Sequence, residues 1–266
     1  MDSNLLFLAA LVVAIHFIST LSYAVRIAGV RTHRLAFALS LFNLMVLLSR
    51  SSNAILAPLL SKRTEEAILA AREAAAFDFR VLLGAATIGT VLGGLLIPTC
   101  QRIVTRAVQR FDARPSMFSL LLTLLRPHTW VFMIRQVTVP AAANLTLVQR
   151  TRGLPWMVFA MNILGISLIT CGVFSSLYAG YLVPELRLTA GNLSAVVNFI
   201  GTIVMFALVD PHFSFTSDKV VSGEVSESYF RACVIGMWLS RFFGTVLSQA
   251  ILIPGAELVA WVAKII

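Results

Sequence analysis

Arg26, Arg31, Arg50 and Arg241 are the residues of this chain with the most chemistry to offer, because each lies in or beside a long apolar segment. A guanidinium is a rigid fork of donors that matches two phosphate oxygens at once. At bilayer depth such a cation costs about 2.5–3.5 kcal/mol even on the milder scales. It therefore faces an internal polar path or snorkels to the interface, and for Arg50 both readings are open. Polar side chains accompany the arginines. On a helix, steps of three, four and seven return to one face. They put His16, Ser19 or Thr20, Tyr23 and Arg26 on one side of the first apolar segment, and Ser40, Asn43, Arg50 and Asn53 on one side of the second. In later segments Gly191, Ser194, Asn198 and Gly201 align, as do Arg241, Thr245 and Ser248. A helix facing lipid has no use for such a stripe; a helix lining a polar path has. The candidate binding set is thus Arg26, Arg31, Arg50 and Arg241 for an anionic group, with Asn43, Asn53, Asn198, Tyr23 and His16 as hydrogen-bonding neighbours. Several arginines beside few acids suit a phosphate-bearing amphiphile.

These residues need helices to carry them, and the composition supplies helices of one kind. Of 266 residues, 58% are hydrophobic and only 12% charged, with a mean hydropathy of +0.88. A soluble domain has about a quarter of its residues charged. The chain reads as an all-α polytopic membrane protein. A crossing takes roughly 20 apolar residues, and six segments qualify: 5–25, 36–60, 80–100, 156–183, 191–209 and 233–254. The N-terminus does not read as a cleavable signal, since Asp2 stands where a basic region would and the apolar run is as long as a span. Gly89-x-x-x-Gly93 in the third span permits close helix approach.

The net charge of +9 resides in loops beside apolar segments, which points to anionic membrane lipids as partners and not to nucleic acid. Cys100, Cys171 and Cys233 form no CxxC pair, so no metal is expected. No GxxxxGK[ST], HExxH or GxSxG occurs, so neither a cofactor nor catalytic residues are expected. Glu65, Glu66, Glu73, Asp78 and Glu185 fall at span ends, and 210–232 reads as a loop holding Asp210, Asp218, Glu224 and Glu227. Carboxylates within spans, usual in proton-coupled transporters, are therefore not expected.

Between the third and fourth spans, Arg102, Arg106, Arg110 and Arg114 recur every fourth residue, which predicts a cationic helix lying on the membrane surface. Trp130 to Val148 is apolar but holds Arg135, Gln136, Pro140 and Asn144, and reads as a surface or re-entrant helix. A shift of 155 residues superposes Tyr23 on Tyr178, Asn43 on Asn198, and Gly89-Thr-Val-Leu92 on Gly244-Thr-Val-Leu247. This predicts two three-helix repeats, 1–100 and 155–266, joined by a basic connection, 101–154. The arginines after spans one and three should be cytoplasmic, which puts the N-terminus outside. If the connection does not cross, the repeats are inverted. Arg26, Arg31 and Arg50 meet Tyr181, Leu186 and Met205 under the shift, so the first repeat carries most of the cations.

Leu21-Ser-Tyr-Ala-Val-Arg-Ile-Ala-Gly-Val-Arg31, followed by Ser40-Leu-Phe-Asn43 and Ser49-Arg50, resembles the Amj family of bacterial lipid II flippases, the alternates to MurJ. The resemblance implies a six-span protein of the bacterial cytoplasmic membrane. Its members carry lipid II, the undecaprenyl-pyrophosphate-linked peptidoglycan precursor, from the inner to the outer leaflet. It does not assign binding residues. Family members often have an acidic residue before the Thr-Leu-Ser of span one; this chain has Ser19 there. With this resemblance, the arginines are expected on the pyrophosphate and the asparagines on sugar or peptide, while the polyprenyl tail stays in lipid. The alternatives are a transporter of another polyprenyl-phosphate lipid or a small anion, and an intramembrane enzyme acting on a lipid-linked substrate. A homo-oligomer is compatible with all of these.

Overall fold

Asp2 starts the first helix by accepting the Leu5 N–H at 2.8 Å, which satisfies a donor that the first turn leaves free. In the computed structural model, which describes residues 2–70, 75–111, 137–138 and 143–266, this helix, α1, runs Ser3–Thr32. It stops at His33, whose φ of 55° turns the chain left-handed. The turn is tight: a Cβ on Gly29 would collide with that of Ala38. α2 follows at Leu35–Leu69 and α3 at Ala75–Phe111. A short α4, Ala143–Arg150, precedes α5, Trp156–Leu182. After one 3₁₀ turn, α6 spans Arg187–Ile203. A π-helical turn, Val204–Val209, joins it to α7, Asp210–Val221, with Pro211 in the first turn of α7. Ser226 caps α8, Glu227–Ile265, by accepting the Tyr229 N–H. Among the described residues there is no strand.

Six helical runs are long and apolar enough to cross a membrane: Ser3–Thr32, Leu35–Leu69, Ala76–Gln109, Trp156–Leu182, Pro184–Val221 and Glu227–Ile265. Each overlaps an expected span, and all but Trp156–Leu182 extend beyond it. The clearest correction is at 210–232. The first half of this stretch is not a loop but α7, continuous with α6. A second correction concerns the arginine stripe after span three. Arg102 and Arg106 lie on α3 itself, not on a separate surface helix. Arg114 and most of 130–148 lie outside the described residues.

Small residues set the packing. A Cβ on Gly89 would meet the Val13 carbonyl, and one on Gly93 would lie 2.7 Å from Thr20 Cβ, so α1 and α3 are in backbone contact. Gly244 approaches the Ile163 carbonyl in the same way, closing α5 onto α8. Gly201 against the Gly165 carbonyl closes α6 onto α5. Hydrophobic clusters give the directions. One joins Val30 of α1, Val148 of α4, Leu154 and Phe159 at the start of α5, and Phe230 at the start of α8. Another, at the opposite end, joins Leu5 and Leu8 of α1 with Leu60 of α2, Phe174 of α5 and Leu252 of α8. Hence α1 and α5 run antiparallel, and the connection between α3 and α5 starts and returns at one end. We call that the near end and the other the far end. Leu47, Leu48 and Ile55 on α2, and Val196, Phe199 and Ile200 on α6, are exposed, as residues facing lipid tails should be.

Candidate functional site

Where α1, α2, α5, α6 and α8 converge they leave a cavity of about 160 Å³. α1 supplies His16, Ser19 and Tyr23, which share a face because they are three or four residues apart. α2 supplies Asn43, Ser49 and Asn53, and the Ser49 hydroxyl ties α2 to α1 by donating to the Ile15 carbonyl at 3.0 Å. Asn198 comes from α6, Asp210 from the start of α7 and Arg241 from α8. Six expected site residues are thus brought together: His16, Tyr23, Asn43, Asn53, Asn198 and Arg241. Arg50 lies on α2 between Ser49 and Asn53; its side chain lies outside the described residues.

Arg241 is 7% exposed. Its Nη2 donates to Ser19 Oγ at 2.7 Å, and among the described residues it forms no ion pair. A neutral hydroxyl is thus the acceptor for a buried cation. Arg241 Nε has no hydrogen-bond partner among the described residues, and the same holds for His16 Nδ1, Tyr23 Oη and Asn198 Oδ1, all on the cavity wall. Each buried polar atom left unpaired costs about 1–3 kcal/mol. A ligand with an anionic group and further polar atoms would satisfy them: the cation and the phenol as donors, the Asn198 carbonyl as acceptor.

Arg26 and Arg31 are placed otherwise. Arg26 stands behind the wall, 4% exposed. Its Nη2 donates to Asp210 Oδ1 at 2.9 Å and its Nη1 to Ser214 Oγ at 3.2 Å. Its guanidinium lies 4.1 Å over the Phe42 ring and 5.3 Å from that of Phe213, a cation–π arrangement. Arg31 is remote from the cavity, donating to Glu227 at 2.8 Å on the surface of the near end. Asp210, 25% exposed, is the wall residue that the sequence reading assigned to a loop. Its one legible signal is Pro211, since proline favours the first turn of a helix. Ser19, the acceptor for Arg241, has no signal in the sequence beyond its place on the polar face of α1.

A second cavity, of about 330 Å³, opens toward the far end between α2, α5 and α6. Val173 lines both cavities, and Ser61, Thr64, Glu65, Arg187, Asn192 and Ser194 add polar groups to the mainly apolar lining of the second. Among the described residues no group of His, Cys, Asp and Glu is placed to hold a metal ion.

Comparison with known proteins decides the family. The model of the Amj family, described as "Alternate to MurJ", matches residues 11–263. This chain belongs to the Amj family. The lipid II flippase Amj of Bacillus subtilis (strain 168) is 34% identical over 263 residues, covering 98% of this chain and 97% of its own length. No solved structure matches this Amj-family chain. Its six apolar helices and its relative make it a multi-pass protein of the cytoplasmic membrane.

Proposed function

We propose that this chain is a lipid II flippase, a transporter and not an enzyme, and that the central cavity is where the headgroup crosses. Family membership supports the substrate. The observation that carries the site is Arg241, a buried cation held by a hydroxyl, on a wall with three further polar atoms that have no partner among the described residues. In this reading Arg241 takes the pyrophosphate, with Arg26 and Arg50 as further cations along α1 and α2. Asn43, Asn53 and Asn198 bond to sugar or peptide, and Tyr23 and His16 complete the wall. The undecaprenyl tail stays in lipid, beside α2 and α6.

The near end is cytoplasmic, because Arg31, Arg34, Arg102 and Arg106 gather there and basic loops stay inside. The N-terminus is then outside, and the near-end arginines meet anionic lipid headgroups. The two three-helix sets derive from one duplicated unit inserted in opposite directions, which the 155-residue register and the antiparallel α1 and α5 support.

The test is rescue. The protein is expressed in a bacterium whose own lipid II flippase is depleted, and a periplasmic hydrolase that cleaves only exposed headgroups reports lipid II on the outer leaflet. Exposure is expected to persist with the wild-type chain. Its loss, with the protein present in the membrane, would shift the substrate to another polyprenyl-phosphate lipid or a small anion.

A further inference from the structure

We propose that Asp210 is a built-in stand-in for the lipid's phosphates: it holds Arg26 at rest, and the incoming headgroup takes its place, opening the near end. The inference rests on the lipid II reading above and adds a residue and a step to it. Three observations carry it.

The first is position. Arg26 separates two spaces. On one side Asp210 bonds to it from the wall of the central cavity. On the other a small cleft between α2 and α7, lined by Leu35, Ala38, Ser214 and Asp218, reaches Arg26 directly. The pair is therefore the partition between the near-end surface and the cavity. A headgroup passing from one to the other meets this guanidinium.

The second is chemistry. A carboxylate and a phosphate offer the same feature to a guanidinium, two oxygens in the plane of the fork. Arg26 uses Nη2 for Asp210 and Nη1 for Ser214, and its Nε has no hydrogen-bond partner among the described residues. Pyrophosphate has more oxygens than a carboxylate and can engage the idle Nε as well. Exchange thus replaces one acceptor with a richer one and never leaves the cation bare in the membrane.

The third is mechanics. Arg26 fastens α7 to α1 through Asp210 and Ser214, and α7 is joined to α6 by the π-helical turn Val204–Val209. Such turns are weaker joints in a helix and recur at functional sites. Pro211 removes one more backbone donor beside it. Releasing Asp210 therefore loosens one tie on α7, which keeps its Ser214 bond to Arg26 and the packing of Phe213 on Phe230, while α6 stays packed on α5.

The experiment uses the full chain in lipid nanodiscs and compares wild type, Asp210→Asn and the double variant Arg26→Leu/Asp210→Leu. Lipid II binding is measured for all three, with inorganic pyrophosphate as competitor, and transport in liposomes. Removing the resident anion should tighten lipid II binding to Asp210→Asn by about tenfold, because the binding-competent state no longer has to be won from the carboxylate. Pyrophosphate should compete more effectively in that variant too. The double variant, which keeps an apolar contact in place of the pair, should stay folded yet lose transport by about tenfold or more, as a truncated phosphate contact does. Wild-type binding with no gain in Asp210→Asn overturns the exchange alone. Should that variant fail to assemble, a folded double variant with full transport overturns it equally. If the wild type does not bind lipid II, the underlying reading falls and takes the exchange with it.

Discussion

Arg26 and Arg241 are both buried cations in membrane-crossing helices, one in each half of the chain, and they are accommodated in opposite ways. Arg26 has a carboxylate, a hydroxyl and two aromatic rings. Arg241 has one hydroxyl and stands on a cavity wall. The first already has a counter-charge within the protein, which an incoming phosphate has to displace, and the second gains one only with an anion. Burial alone therefore does not mark a binding residue. What distinguishes the two is whether the fold has already supplied the counter-charge.

The contrast can be broken by substitution, and the largest effect should come at Arg26. Arg26→Leu takes the cationic partner from the part-exposed Asp210 carboxylate on the cavity wall, and breaking a buried pair costs about 3 kcal/mol. Thermal unfolding of the purified variant should show this loss, and adding Asp210→Leu should recover most of it. Arg241→Met should behave in reverse. It removes a cation that has no carboxylate partner among the described residues, so stability should change by less than about 1 kcal/mol or rise, while lipid II transport falls by about tenfold, equivalent to about 1.4 kcal/mol. A stability loss at Arg241 as large as that at Arg26 would erase the distinction.

Smaller changes sharpen it. Arg31 and Glu227 form their pair on the surface, where such contacts are worth under about 1 kcal/mol. Arg31→Ala should leave transport and unfolding nearly unchanged, which separates a cation that merely sits at the near end from one in the path. The smallest effect belongs to the far-end cap. The Leu5 N–H, and then Arg63, hold the Asp2 carboxyl below its ordinary pKa of 3.8. A carboxyl depressed on folding contributes stability that is present above its unfolded pKa and lost as pH falls through the lower folded value. Asp2→Asn should therefore lower stability slightly at neutrality and flatten the acid side of the unfolding profile, so that variant and wild type converge below about pH 4.

Helical periodicity made much of the cavity legible. His16 and Tyr23, Asn43 and Asn53, Asn198 and Arg241 were placed on inward faces by spacing alone, because a helix fixes which residues share a side before any tertiary contact forms. Periodicity says nothing about depth, however. Arg26 and Arg31 are five residues apart on α1, and only the packing of α2 and α7 decides that one is enclosed and the other wet. Apolar windows also end wherever a charge begins, whereas helices do not. The window stopped at Val209, but the backbone continues through a wide turn into α7, and so Asp210 entered the membrane-crossing run unseen. Similarly, α3 carries Arg102 and Arg106 past its apolar core, since Val104 and Val108 on the same turns pack against Val25 and Ala28 of α1.

The wide turn before Asp210 also sets how far that carboxylate can travel. A π-helical turn holds more residues than an α-helical one, and the surplus can be handed along a helix from one turn to the next. Each residue it passes is turned by about 100° around the axis and displaced by about 1.5 Å along it. Handing the surplus past Asp210 would swing its side chain from Arg26 to another bearing without unravelling the 38-residue run Pro184–Val221.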